Sequence, residues 1–407
     1  MFLCAIRKAA AKRNDEGYYR HDQPAARRTA GPRHRRTTAV ACLIMRLLML
    51  TKYGRLGASS RLRSYAYLPA LQAAGWQVTV SPLMSDDYVC GLQLGRRALG
   101  SLPSGYARRM IALRSAAAHD LVWIEKDALP WLPFSIEKTL LGSGARYVLD
   151  YDDAVFHHYD QHRSSLVRTL LGRKHNELMK RSVMVVAGND YLAQRARAAG
   201  AANVQVVPTV VDIHRYPDVS RRTPRDGQLE VVWIGQRSTG RYLQPLAATM
   251  RQLEKAGLCR FTAIGIDAAQ FGLPMRSLPW DEQREAAVLS EFDVGLMPLP
   301  DTPFERGKCG YKLIQYMACG LPVVASPVGV NVNLVAEGEN GFLANTPADW
   351  ESAIRKLAAN PALRSRMGEA GRKRVADGYS LDLMASRLMG LLDAAAKERQ
   401  GDPNIHG

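Results

Sequence analysis

The sequence predicts an α/β protein of two Rossmann-like domains whose parallel sheets face each other across a cleft. Three observations carry that expectation. A strand, glycine-bearing turn, helix and second strand follow one another over residues 47–80, and the same pattern restarts at Leu229. Residues 307–329, GKCGYKLIQYMACGLPVVASPVG, then compress a turn, a helix and a buried strand into one short unit. At 407 residues the chain is long enough for two cores of ordinary size.

In the first half, residues 47–50 have the unbroken apolar character of a parallel strand, and Gly54 and Gly57 mark the turn that follows. A helix running through Ala74 ends at Gly75, and residues 76–80 form the second strand. The glycine spacing is not GxGxxG, and Ser81 and Pro82 stand where an acidic residue would close a dinucleotide site, so no such cofactor is expected. Arg61 and Arg63 lie just past the turn, where they can reach a phosphate or an acidic acceptor, or simply solvate a helix face. Further strands at 121–124, 147–149, 184–186 and 204–207 each end in polar residues. Ligands bind outside the carboxyl ends of open parallel sheets, so these ends should converge on one crevice. Among them Asp152 and Asp153 can take or orient the proton of an acceptor hydroxyl, with helix capping the competing role. Glu125 and Lys126 read as a structural ion pair, and His157 and His158 as exposed or packed rather than catalytic. Asp150 and Asp152 form a DxD, but no metal is assigned to it.

The second half has strands at 229–234, 261–264 and 294–297 before the compact unit. There Gly307 and Gly310 let backbone amides approach a ligand, and the helix beginning near Tyr311 aims its positive end at the same place. Lys308 and Lys312 add charge, and Lys312 and Gln315 share a helix face. Gly320 and Pro322 end the helix before the strand 323–325. Residues 340–344, NGFLA, read as a turn into an edge strand. Helices follow at 350–359 and 361–376, and Ser380 is placed as the cap of a last helix, 381–395, with Met384, Leu388 and Leu391 on its apolar stripe. The expected division is a basic extension over 1–44, a first Rossmann-like domain over 45–215, a linker over 216–227, a second Rossmann-like domain over 228–379, a closing helix over 380–395 and a tail over 396–407.

The net charge is +17, and residues 1–44 hold ten Lys or Arg against three Asp or Glu. That extension reads as disordered or as preceding a start at Met45, with a membrane-touching arm and a targeting peptide as alternatives. The remainder is still basic, which suits nucleotide diphosphates, anionic glycolipids or the anionic face of a bilayer. No nucleic-acid-binding motif accompanies the charge, so nucleic acid is not an expected partner. The six cysteines form no CxxC pair and no zinc spacing, which fits a reducing cytosol without a disulfide framework. No apolar run reaches the roughly 20 residues that span a bilayer.

The run KLIQYMACGLPVVASPVG resembles the signature of GT-B glycosyltransferases, above all the family-4 retaining enzymes with their Glu-x7-Glu motif. Aligned on Gly310 and on Met317 to Gly320, Gly307 stands at the first glutamate and Gln315 at the second. The resemblance implies that Gln315 meets the ribose hydroxyls, which an amide can still do. Glu305, two residues before Gly307, is placed to reach in from the loop. The loop from Ile234 through Gly235 to Leu243 is also similar to the family's, and implies that Arg237, with Arg241 as the second candidate, joins Lys308, Lys312 and the amides near Gly310 in neutralising a departing diphosphate. The candidate catalytic groups are thus Asp152, Asp153, Glu305 and Lys308. The candidate donor-binding groups are Gly54, Gly57, Arg61, Gly235, Arg237, Arg241, Gly310, Lys312 and Gln315. The implied activity is transfer of a sugar from a nucleotide-diphosphate sugar to a hydroxyl of a glycan or lipid-linked acceptor, with retention and without metal or cofactor. The implied place is the cytosol, with peripheral contact at the inner membrane face. The alternatives are a sugar-nucleotide-binding scaffold that has lost transfer, a Rossmann-type oxidoreductase and a sugar-nucleotide epimerase.

Overall fold

The computed structural model describes residues 44–93, 99–217 and 227–397. They form two six-stranded, all-parallel sheets with helices on both faces. The first contains β1 (Arg46–Tyr53), β2 (Gln77–Met84), β3 (Leu121–Glu125), β4 (Tyr147–Tyr151), β5 (Met184–Ala187) and β6 (Val204–Val206), in the order β2-β1-β3-β4-β5-β6. The second contains β7 (Leu229–Ile234), β8 (Cys259–Ile264), β9 (Arg276–Leu278), β10 (Val294–Met297), β11 (Val323–Ala325) and β12 (Gly341–Leu343), in the order β12-β11-β10-β7-β8-β9. Strand order therefore reverses between β1 and β3 in one sheet and between β10 and β7 in the other. Those two points are where a doubly wound sheet opens a crevice at its carboxyl edge.

The interior strands are buried on both faces. Leu47 to Leu50 of β1 and Leu121 to Ile124 of β3 are essentially inaccessible, as the unbroken apolar runs require. β2 continues four residues past the expected Val80, pairing Tyr53 with Met84 across Pro82. Among the described residues its outer edge is unpaired in the sheet order, where a missing proline donor breaks no ladder bond. β9 had no signal in the sequence: its three residues are all exposed, and among the described residues its outer side is unpaired.

The last helix, Leu381–Lys397, leaves the second half and packs on the first. Met384, Ala385, Leu388, Leu392, Ala395 and Ala396 join a core cluster with Leu47, Met49, Tyr67 and Trp76. Leu392 takes the inward position expected for Leu391, which is only partly buried, because a spacing of four from Leu388 keeps the stripe in line. Trp76 Nε1 donates to Asp393 Oδ1 at 3.0 Å, holding the last helix to the start of β2. Ser380 pairs with Val211 in an isolated parallel bridge at the crossing point. The basic extension before Ile44, most of the expected linker (218–226) and the tail from 398 lie outside the described residues. Cys90 is disulfide-bonded, a correction to the expectation of no disulfide, whereas Cys259, Cys309 and Cys319 are free thiols. Among the described residues no helix is long and apolar enough to cross a membrane.

Candidate functional site

The crevice of the first sheet is built on charge. Ser60 Oγ donates to Glu125 Oε2 at 2.5 Å, and Ser59 lies between Glu125 Oε1 (2.8 Å) and Asp152 Oδ2 (2.6 Å). Lys126 Nζ reaches Asp152 Oδ1 at 2.7 Å and donates to Ser59 Oγ at 2.8 Å. Its backbone is left-handed, with φ 66°, a conformation that a lysine adopts only when its surroundings hold it there. Burial works against ionisation of Asp152, but Lys126 outweighs it and holds the carboxyl down at about 2. Asp152 is therefore a fixed anion and a weak proton acceptor. Asp153 instead faces the second half, where Lys308 Nζ is 3.2 Å from its Oδ1.

The two first-half glycines and Arg61 serve close packing. A Cβ on Gly54 would sit 2.4 Å from Asp86 Oδ1, and one on Gly57 2.3 Å from Tyr53 Cβ. Arg61 stacks over Trp280 at 4.9 Å and pairs with Glu282 at 3.6 Å, so it bridges to the second half. Arg63 is buried on Asp150, where sequence reading had it at the surface or on a ligand.

The compact unit docks directly on this crevice. Asn189 Nδ2 donates to the carbonyls of Gly307 (2.9 Å) and Lys308 (3.1 Å), and Cys309 Sγ donates to Asp152 O at 3.1 Å. Gly307 is so close to the first half that a Cβ would lie 2.5 Å from Ala154 Cβ and 2.8 Å from Ala154 N. Restoring a carboxylate with Gly307→Glu should therefore part the two halves rather than complete a motif. The expected result is more than a tenfold loss of donor affinity with faster proteolysis between the halves, checked by calorimetry and limited trypsin digestion.

Gly310, with φ 66°, caps the helix Tyr311–Ala318 in the left-handed region that glycine tolerates best. The helix leaves the carboxyl edge beside the β10/β7 reversal, and Lys312 lies on its first turn. Among the described residues no carboxylate forms a salt bridge with Lys312, and Asp153 acts on it only at longer range. Its ammonium is 5.6 Å from the Trp233 ring, and its stem passes within 3.1 Å of where a Cβ on Gly235 would be. Burial first, and then the neighbouring Lys308, push its pKa down to about 8. An ammonium so placed favours an incoming anion.

Gln315 is buried one turn further on. Its Nε2 donates to Glu285 Oε1 at 2.6 Å, and the other oxygen of Glu285 accepts from Trp280 Nε1. Burial raises the Glu285 pKa. A carboxylate thus stands beside the position where the motif lacks one, supplied by the short helix Glu285–Leu289. Sequence reading missed Glu285, since its partner is 30 residues away.

A cavity of about 840 Å³ opens between the halves, lined by His157, His158 and Gln161 on one side and by Arg241, Tyr242 and residues 298–305 on the other. Glu305 is buried in its wall and accepts from Tyr242 Oη at 2.5 Å and from Thr302. Lys308 lies close enough to Tyr242 and Glu305 to feel both, although it does not line the cavity. Of the two arginines of the β7 loop, Arg241 faces the cavity, while Arg237 is exposed and bonded to Gln270. His157 has both ring nitrogens engaged, by Asp160 at 2.8 Å and Tyr191 at 2.9 Å. His158 stacks on Phe304 with ring centroids 4.8 Å apart, and burial lowers its pKa. Among the described residues no group of three or more His, Cys, Asp or Glu is arranged to hold a metal.

Two facing parallel sheets joined by a returning helix, with the cleft between them, define the GT-B fold. Solved structures share it: sucrose-phosphate synthase (tll1590) from Thermosynechococcus elongatus superposes with a TM-score of 0.64 at 17% identity, covering 86% of this chain and 98% of that one. Anabaena Alr3699/HepE in complex with UDP-glucose gives 0.64 at 16% identity, covering 86% and 100%. WaaG, a glycosyltransferase involved in lipopolysaccharide biosynthesis, gives 0.59 at 16%, covering 85% and 100%. Residues 217–360, which hold the second sheet and the compact unit, match the family described as Glycosyl transferases group 1. The O-antigen biosynthesis protein RfbC of Myxococcus xanthus is 31% identical over 188 residues, 43% of this chain and 14% of that protein. The D-inositol 3-phosphate glycosyltransferase of Streptomyces avermitilis is 36% identical over 99 residues, 24% of this chain and 21% of that protein. The chain thus spans about a fifth of these relatives' length or less.

Proposed function

We propose that this protein transfers a sugar from a nucleotide-diphosphate sugar to a hydroxyl of a glycan or lipid-linked acceptor, with retention and without a metal. The observation that carries the reading is Lys312, a desolvated ammonium at the start of the Tyr311–Ala318 helix that forms no salt bridge among the described residues, within the segment similar to group 1 glycosyl transferases. Departure of a nucleotide diphosphate develops negative charge, and preorganised cations in a water-poor site stabilise it. Lys312, the helix terminus and Lys308 supply that field. Gln315, fixed by Glu285, meets the ribose hydroxyls. On the first-half side Asp153, which meets Lys308 rather than the Lys126 that clamps Asp152, is the carboxylate offered to an acceptor hydroxyl, and Glu305 lies in the cavity wall. Because Alr3699/HepE was crystallised with UDP and UDP-glucose, uridine diphosphate sugars are the first donors to try.

A panel of UDP-, GDP- and ADP-sugars tests the reading by thermal shift. A ligand at about 100 times its Kd stabilises by about 2.7 kcal/mol, a shift of several degrees. If no member of the panel shifts unfolding at millimolar concentration, a sugar-nucleotide site is not there. Turnover is then read as release of nucleoside diphosphate with and without chelator, and full activity in chelator is expected. The Gln315–Glu285 pair gives a sharper check. Glu285→Ala and Gln315→Ala should each weaken donor binding about tenfold, the value of one lost network bond, and the double variant should lose little more than either. Additive losses would show that the two residues act separately.

A further inference from the structure

We propose that the helix Ser165–Leu171, together with Trp131, docks the protein on the anionic face of a lipid bilayer, with the interdomain cavity opening beside the contact. The helix carries two leucines that the fold leaves uncovered: Leu166 is 65% exposed and Leu170 60%. A spacing of four puts them on one face. Trp131 is 53% exposed, with φ 64° in the left-handed region that bulky residues avoid. It packs edge-on against Tyr159 (5.1 Å) and His162 (5.9 Å), so its other surface is held outward next to the segment that leads into the helix.

Charge decides what covers this surface. Residues 161–176 contain no Asp or Glu, while Arg163, Arg168 and Arg173 are all exposed around the leucines. Arg168 is folded back on the carbonyls of His162 (2.6 Å) and Arg163 (3.1 Å), which stiffens the start of the helix. A second copy of the chain would bring the same arginines face to face. An anionic bilayer instead accepts apolar side chains below its headgroups, arginines at the phosphates and an indole at the interface. The position adds a reason. His157, His158 and Gln161, which line the cavity, directly precede this helix, so an acceptor anchored by lipid would meet the cavity without leaving the surface.

The docking reading does not depend on transfer, because vesicle binding is measured without donor. Full-length protein is sedimented with vesicles of phosphatidylcholine alone or mixed with phosphatidylglycerol. Strong binding is expected only to the mixed vesicles. Leu166→Ser/Leu170→Ser and, separately, Arg163→Glu/Arg173→Glu should each lower the partition coefficient at least about tenfold. Thermal unfolding should stay unchanged, since all four side chains are exposed. Wild-type affinity in either pair would overturn the proposal and move the contact elsewhere, for instance to the basic residues 1–44. So would failure of the wild type to bind mixed vesicles, or a dimer in sedimentation velocity that the leucine pair dissolves.

Discussion

Lys312→Met should bind its nucleotide diphosphate about 100-fold more weakly than the wild type and lose about 100- to 1000-fold in kcat/KM, the range seen when one preorganised charge donor is removed. Methionine keeps the apolar stem against Trp233, so the loss reports the ammonium rather than packing. Stability should not fall. The ammonium is buried beside Lys308 and forms no salt bridge among the described residues, so its removal relieves repulsion and desolvation. The pH dependence has a definite sign. In the folded chain the ammonium deprotonates near pH 8, and in the unfolded chain near the ordinary value of 10.5. Between those values the unfolded state holds more protons, so this group's contribution to unfolding free energy rises with pH across the window. Below about 8 it is charged in both states and its burial cost is present in full. Donor affinity runs the other way: level at lower pH, then falling up to tenfold per unit above about 8 as the ammonium is lost. Calorimetric titration at pH 6.5, 8.5 and 9.5 (values of roughly one unit on each side suffice) should show the slope in the wild type and none in Lys312→Met. A wild-type affinity that is flat with pH would remove Lys312 from the anion site.

The strands were legible where burial writes itself into local sequence. Runs such as Leu47 to Leu50 and Val323 to Ala325 are apolar on both faces because the parallel sheet is covered on both faces. β9 was not legible, because an exposed edge strand places no demand on its side chains. The same logic divides the site. The compact unit could be read because a left-handed cap, a helix and a strand constrain neighbouring residues. Glycine was ambiguous: it marks a place where no Cβ fits, and the obstacle can be a ligand or another part of the chain. At Gly54, Gly57 and Gly307 it is the chain, namely Asp86, Tyr53 and Ala154. At Gly310 it is the backbone conformation itself. The carboxylate of Glu285 comes to Gln315 from another element, and the choice between Arg237 and Arg241 turns on which one Gln270 captures. Neither is encoded by spacing.

Arg63→Met should be the most destabilising single change in the crevice of the first sheet. Arg63 is the last residue of the helix Ala58–Arg63, where a basic side chain also suits the helix dipole. Its guanidinium grips Asp150 through both arms, at 2.5 and 3.1 Å, and donates to Val207 O at 2.7 Å. Burial opposes the charge, but Asp150 outweighs it and keeps the arginine firmly protonated. Removing one partner strands a carboxylate at a fully buried position at the end of β4, which costs about 3–5 kcal/mol. For a domain of this size that is a fall in Tm on the order of 10 °C. Replacing both partners, Arg63→Met with Asp150→Leu, removes the stranded charge and should recover most of the loss, since buried pairs are often matched by apolar residues of similar volume. The two variants also separate stability from positioning. Asp150 is two residues from Asp152 and three from Asp153, so an Arg63/Asp150 double variant that regains its Tm yet keeps a low kcat at unchanged donor Kd would show that the pair aims the acceptor-side carboxylates. Equal Tm values for the single variant and the wild type would instead mean that water already reaches Asp150, and the clamp would then have no energetic role.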